Sequence, residues 1–458
     1  MTPRSLSEPK VVTEIPGPIS RAYLKRQEAR ESNARSYPRH LPVAVQRAQG
    51  ALVEDVDGNV FLDFLSGAGV LSLGHSHPDV VAAVADQLTT YVHGLDLPTP
   101  AKDRFTGLLL EMLPASMRDR FVVHFCGPTG ANGVEAAIKL CKIATGRGEV
   151  IAFQGGFHGS TAGAMAVTGD VGSRKRVANG VPGVHFFPFS YCRRCPVGLT
   201  PQTCTTNCVT YLERALDDTH SGVPKPAAVI VEAVQGEGGG IPATGDFLRR
   251  LRAATYRHGI PLILDEIQTG CGRTGTWYAF EQYGIEPDVI VSSKALSGIG
   301  LPVSVLLFDR DLNQWDPGAH IGTFRGNQLA FAGGAAAIDV IRRDNVLANV
   351  RARGQQLTEL LQGIAARSAS VAEIRGVGLM QCVELVDPET GADETELAAA
   401  VQAAALRAGV ILERGGRGAD GGCVLRLLPP LTITEQELDQ GVRLLEQAFR
   451  EADHNFVR

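Results

Sequence analysis

Five short apolar runs in the middle of the chain each end in a glycine-rich or ionisable cluster. No other feature restricts the fold as much. Residues 121–125 lead into Cys126-Gly127-Pro128-Thr129-Gly130-Ala131 and then a helical pattern. Residues 150–153 lead into Gln154-Gly155-Gly156-Phe157-His158-Gly159. Residues 228–231 lead into Glu232, then Gly236-Glu237-Gly238. Residues 261–264 end at Asp265-Glu266-Ile267-Gln268, and residues 289–292 are followed closely by Lys294. A sixth run covers 303–308, and amphipathic helical patterns at 134–144 and 246–258 lie between the runs. Short β-branched runs alternating with helices predict an α/β fold, a mainly parallel sheet with helices on both faces. In such sheets ligands bind beyond the carboxyl ends of the strands, so the clusters should face one site.

Each cluster has a chemical reading. A Gly-rich loop entering a helix offers free backbone N–H groups and the positive end of the helix dipole, which suits a phosphate. Thr129-Gly130-Ala131 is that loop. Alone, such a loop is more often only a turn. Phe157, beside glycines, can lie flat against a planar ring; alone it is more often core. An Asp ending a buried strand is costly unless it meets a cation. Asp265 would meet it in a protonated pyridine nitrogen; its plainer reading is a helix N-cap. Lys294, past the next strand, can form a Schiff base with an aldehyde. Phosphate, ring, pyridinium and imine together describe pyridoxal phosphate.

The composition is that of a soluble globular protein. At roughly 100–200 residues per domain, 458 residues suggest two or three domains. Apolar residues make up 44% and charged residues 20%, which excludes wholesale disorder. Glycine, with 52 residues, is in excess, as close backbone approach to a ligand would require. The net charge of −5 argues against a grip on nucleic acid. No run approaches ~20 consecutive apolar residues, so no membrane-spanning helix is expected. The first residues show no apolar secretory core, and a cytoplasmic location is expected.

Outside the central region, residues 1–18 read as an arm and 19–33 as a charged helix. Asp57-Gly58-Asn59 between alternating apolar runs predicts a hairpin. Beyond residue 330 a long helical stretch, strands near 378–383 and 424–427, and a closing helix near 435–449 read as a second, smaller α+β domain.

The stretch LILDEIQTGCGRTGTWYAFEQYGIEPDVIVSSKALSG, residues 262–298, resembles the class III pyridoxal-phosphate aminotransferases of fold type I. SGAGVLSLGHSHP, VEAVQGEGG, GTFRGNQLA and LRLLPPLTIT agree with it, and the likeness spans about residues 37–449. FCGPTGANGVEAAIK and TFRGNQLAFAG are most similar to the diaminobutyrate–2-oxoglutarate branch. The resemblance implies a large cofactor-binding domain at 96–330 with a sheet of the seven-stranded type. The arm and helix would occupy 1–36, and the small domain 37–95 and 331–458. The implied activity moves the terminal amine of diaminobutyrate to 2-oxoglutarate; other ω-amines on the same fold are the alternative.

It also implies roles by residue. Lys294 would carry the cofactor imine and move the proton, and Asp265 would pair with the ring nitrogen. Gln268 would contact the ring oxygen side, and Phe157 would stack on the ring with His158 beside it. Gly130 and Ala131 would hold the phosphate by backbone N–H, and Thr323 would reach the phosphate of a neighbouring subunit in a homodimer. Glu232 would support the cofactor. Arg426 would take the α-carboxylate of glutamate, and Glu237 would neutralise it when a diamine end occupies the site. Ser160 stands where many members carry the arginine for the distal carboxylate; Arg325, Arg174 and Arg176 are the candidates here.

Nine cysteines include four in one stretch, Cys192-x2-Cys195 and Cys204-x3-Cys208. That spacing admits a zinc or iron–sulfur site. Thiols on a surface loop are the expected reading, with no metal.

Overall fold

The computed structural model describes residues 6–175, 177, 180–418 and 421–457. By contact the chain forms two units, residues 79–344 and residues 1–78 with 345–458.

The unit 79–344 is built on a seven-stranded sheet. Its strands are β1 (Phe121–Gly127), β2 (Val150–Phe153), β3 (Val184–Phe187), β4 (Ala228–Val231), β5 (Leu262–Asp265), β6 (Val289–Ser292) and β7 (Ser304–Asp309), in the order β1-β7-β6-β5-β4-β2-β3. Strands β3, β2, β4, β5 and β6 run parallel, while β7 is antiparallel to both β6 and β1. All five predicted site-bearing strands are present. The run at 303–308 forms β7, and β3 is an addition. Its Val-His-Phe-Phe is a short run bounded by Gly183 and Pro188, with no ionisable or glycine-rich cluster directly at its end to single it out.

Side chains of successive strand residues point to opposite faces. Val229, Val231, Leu262 and Leu264 join one core with Phe247, Leu248 and Leu251 of helix α2 (Gly245–Arg257). Ala228, Ile230, Ile263, Val289 and Val291 join the other with Val134, Ala137 and Leu140 of helix α1 (Gly130–Thr145). Both faces are therefore buried, which is why these strands read as continuous apolar runs. Each large aliphatic side chain buried there contributes roughly 1.5–3 kcal/mol. Helix α1 lies close to the sheet because Gly133 has no side chain; a Cβ there would be 2.7 Å from Val291 Cγ1. Thr244 caps α2 by accepting from Phe247 N at 3.3 Å.

The other unit is α+β. One four-stranded sheet contains the expected hairpin, Leu52–Asp55 with Val60–Asp63. Asp55 Oδ1 accepts from the backbone of Asp57 and Asn59 and so fixes the turn, with Gly58 at φ +85°. A second sheet has the order Val371–Val377, Met380–Leu385, Val424–Leu427, Glu413–Gly415. The closing helix Glu435–Ala452 begins in a capping box between Thr434 and Glu437. Among the described residues no helix is long and apolar enough to cross a membrane.

Candidate active site

The carboxyl ends of β2, β4, β5 and β6 lie side by side by register. Leu264 pairs with Val231, Asp265 pairs with Val291, and Val150 pairs with Ala228. The end of β1 joins them through Ser304, which pairs with Gly127. Whatever follows these strands is thereby brought to one edge of the sheet, as the sequence leads one to expect.

Asp265 ends β5 and is buried. Its Oδ2 is 2.7 Å from Nδ1 of the buried His158, and its Oδ1 accepts from Ile267 N at 3.1 Å. His158 thus lies on the carboxylate, whereas the resemblance placed it only beside the ring-stacking Phe157. Burial works against a charged imidazole. The hydrogen bond and charge of Asp265, with the charge of Glu232, still hold the His158 pKa above its usual value. The His158 backbone is fixed by donating to Thr168 Oγ1 at 3.0 Å, and that hydroxyl donates to Ala164 O.

Glu232, past the end of β4, shapes two loops. Its Oε1 accepts from Phe157 N and its Oε2 from Gly236 N, each at 2.9 Å. Burial, the largest influence, pushes its carboxyl up to about 7, with Asp265 adding to the rise against the pull of His158. Glu237 follows in the same turn and is half-buried.

Helix α1 begins at Gly130, and neighbouring residues approach its first turn closely. A Cβ on Gly130 would be 2.7 Å from Ile267 Cδ1. A Cβ on Gly159, at φ +129°, would be 2.7 Å from Ala131 Cβ. Thr129 N donates to Asn132 Oδ1 at 3.2 Å and Asn132 N donates to Thr129 O at 3.0 Å, so among the described residues the Gly130 and Ala131 N–H groups are the ones left at the helix start. Phe157, between these loops, is half-buried.

Lys294 stands two residues past β6 in the left-handed region, at φ +43°. A non-glycine residue held there stores of order 1–3 kcal/mol, a state that persists where surroundings over-determine it. Ser293 Oγ donates to Val303 O at 2.8 Å and closes the neck of the loop that carries the lysine. Gln268 is buried in the turn after Asp265.

Thr323 opens a short turn, Thr323–Gly326, and its carbonyl accepts from His93 Nε2 at 2.7 Å. Arg325 donates to His320 O at 2.9 Å and pairs with Asp96. Arg174 lies over the Phe186 ring, 4.8 Å from its centroid. Arg176 falls outside the described residues. Arg426 belongs to the other unit, where it is buried in the strand Val424–Leu427 beside Glu413. Sequence reasoning missed His93, Asp96, Thr168 and Glu413, all drawn in by tertiary contact with no local signal.

The donor set suits pyridoxal phosphate. It combines a helix start that opens on glycine, a buried carboxylate in contact with His158, and a lysine held in a left-handed backbone. The four clustered cysteines line one cavity of about 210 Å³ with Phe189, Tyr191 and Asp246. All nine cysteines are free, and among the described residues no group is arranged to hold a metal ion.

The chain resembles known proteins in sequence and in fold. The chain is 49% identical to the diaminobutyrate–2-oxoglutarate aminotransferase of Rhizobium meliloti (strain 1021), over 93% of this chain and 92% of that one. It is 45% identical to the enzyme of that name from Haemophilus influenzae, over 94% and 95%. Among solved structures it superimposes with a TM-score of 0.83 on a PLP-bound amine transaminase from an uncultivated Pseudomonas species, 28% identical over 92% of this chain and 98% of that one. An aminotransferase from Bacillus anthracis gives a TM-score of 0.85 at 25% identity, covering 96% and 100%. Residues 33–449 match the family model described as aminotransferase class-III. With that match spanning nearly the whole chain, the protein belongs to the class-III aminotransferases.

Proposed function

We propose that the protein is a pyridoxal-phosphate enzyme that moves the terminal amine of L-2,4-diaminobutyrate to 2-oxoglutarate, reversibly, giving aspartate 4-semialdehyde and glutamate. The observation that carries this reading is near-half identity, over almost the full length, to an aminotransferase of that name. The site described above supplies groups suited to the chemistry.

When bound, pyridoxal phosphate supplies a carbonyl that takes up amines and a ring that withdraws electrons from the reacting carbon. The chain's own groups do the rest. Backbone N–H groups of Gly130 and Ala131, at the positive end of α1, bind the phosphate. Asp265 would hold a proton on the ring nitrogen, and the 2.7 Å contact with His158 Nδ1 orients that carboxylate. Phe157 would stack on the ring and Gln268 would contact its oxygen side, while Glu232 holds the two flanking loops in place. Lys294 Nζ takes the proton from the substrate carbon and returns it. Arg426 receives the α-carboxylate of glutamate, and Glu237 neutralises it in the diamine half-reaction. Arg325 or Arg174 receives the distal carboxylate.

The proposal includes a homodimer in which Thr323 completes the partner's phosphate site. Ile321 and Phe324, which flank Thr323, are 71% and 69% exposed. Two large exposed apolar side chains beside Thr323 support a covered face there. It also includes a cytoplasmic location, in keeping with nine free thiols.

The test is an amine-donor panel with 2-oxoglutarate, following glutamate release. Diaminobutyrate should give the highest kcat/KM. A faster reaction with ornithine, lysine or 4-aminobutyrate would reassign the donor.

A further inference from the structure

Arg426 has a resident carboxylate partner on its own sheet. Glu413 and Arg426 are directly opposed residues of adjacent antiparallel strands, so both side chains lie on one face. Arg426 Nη1 is 3.4 Å from Glu413 Oε2; the arginine side chain is 1% exposed and the glutamate 13%. Glu413 Oε1 accepts from the Tyr37 hydroxyl at 3.0 Å. Its Oε2 is buried and has no hydrogen-bond partner of its own among the described residues. Room for the arginine is made by Gly415, where a Cβ would be 2.7 Å from Arg426 Cδ.

The geometry points to Glu413, steadied by Tyr37, as a fixed counter-ion that sets how strongly Arg426 attracts a substrate carboxylate. This rests on the reading of Arg426 as the α-carboxylate receptor. A buried guanidinium without a counter-charge is strongly destabilised. Glu413 supplies that charge whether or not a substrate carboxylate is present, because neighbouring strands hold it in register. The planar guanidinium has five donors, so a second carboxylate can join while Nη1 stays with Glu413. The Glu413 charge then opposes that second carboxylate and limits its affinity. The limit is what a site needs when one substrate brings a carboxylate beside the reacting carbon and the other brings only a methylene. Glu413 acts through Arg426, and is a positioning and specificity residue rather than a catalytic one.

The test uses the holoenzyme and glutarate, a non-reacting dicarboxylate. Glu413→Gln should bind glutarate about tenfold more tightly, the change that ~1.4 kcal/mol of added attraction produces. KM for 2-oxoglutarate should fall in parallel, while kcat/KM for diaminobutyrate falls by a similar factor. Glu413→Asp keeps the charge and should restore the wild-type KM for 2-oxoglutarate. Tyr37→Phe should shift glutarate binding the same way by about twofold to threefold, and it carries the test if Glu413→Gln does not fold. Unchanged glutarate affinity in the soluble variants, or equal losses in both half-reactions with unchanged KM, would overturn the role. Arg426→Gln separates this from the parent reading: if it binds glutarate as well as wild type, the assignment of Arg426 itself is wrong.

Discussion

His158 and Asp265, 107 residues apart in the chain, meet through a 2.7 Å contact between Nδ1 and Oδ2 inside the sheet's ligand edge. The pair joins the loop after β2 to the end of β5. It makes the carboxylate part of a buried charge cluster with Glu232, and three predictions concern this carboxylate, its histidine and the lysine beyond the next strand.

Asp265→Asn should retain cofactor and lose turnover. The neutral amide cannot hold a proton on a pyridine nitrogen, whereas phosphate binding depends on other groups. We expect kcat to fall by about a hundredfold or more, ~2.7 kcal/mol in barrier height, with cofactor content near one per chain by absorbance. A variant with unchanged kcat would remove Asp265 from the mechanism.

His158→Asn should destabilise the cofactor-stripped protein in a pH-dependent way. The folded pKa of His158 is raised, so its contribution to stability is fully present below the ordinary histidine value of 6.5. It is lost as pH rises through the folded value. The difference in unfolding free energy between wild type and variant, read from urea titrations, should therefore be largest at pH 6, on the order of 1–3 kcal/mol for a charge-assisted bond. It should shrink toward pH 10. A difference that stays constant across that range would show that His158 is held by packing alone.

Lys294→Ala should abolish transamination and leave the cofactor bound non-covalently. Borohydride treatment, which traps imines, should fix the cofactor to wild type and leave the variant unlabelled in mass spectra. Removing the left-handed lysine need not raise stability, because alanine inherits the same backbone strain. Residual turnover near the wild-type rate would point to another residue.

Gly159→Val should act at a distance from the reacting atoms. Its φ of +129° disfavours any side chain, and the new Cβ would press on Ala131 at the start of α1. We expect roughly 2 kcal/mol or more of destabilisation and at least tenfold weaker retention of cofactor in dialysis. Normal retention would show that the first turn of α1 is not the phosphate cradle.

Much of this was legible in the sequence for a physical reason. A strand buried on both faces must be apolar throughout, so the chemistry can appear only where the strand stops. That is why Asp265, Glu232 and Lys294 stand out at the ends of apolar runs. The hairpin was legible because only a few residues tolerate the turn at Gly58. Partnerships were not legible. Nothing in the spacing of His158 and Asp265, or of Glu413 and Arg426, announces a contact, because each is made by register between separate strands and loops. The reversed direction of β7 was also hidden, since the residues that build a parallel strand build an antiparallel one equally well.

The place of β1 in the sheet has a consequence for biosynthesis. This strand lies at the edge and, among the described residues, is hydrogen-bonded to β7 alone, although roughly 180 residues separate them. While the chain is being made, the segment that leads into the candidate phosphate loop has no strand to pair with until the last strand has left the ribosome. At about 5–20 residues per second, that interval is on the order of ten seconds or more. Through it, the apolar residues of β1 need shielding. The lysine loop between β6 and β7 is completed at the same late step, so the two halves of the site are set together, near the end of synthesis of the unit 79–344.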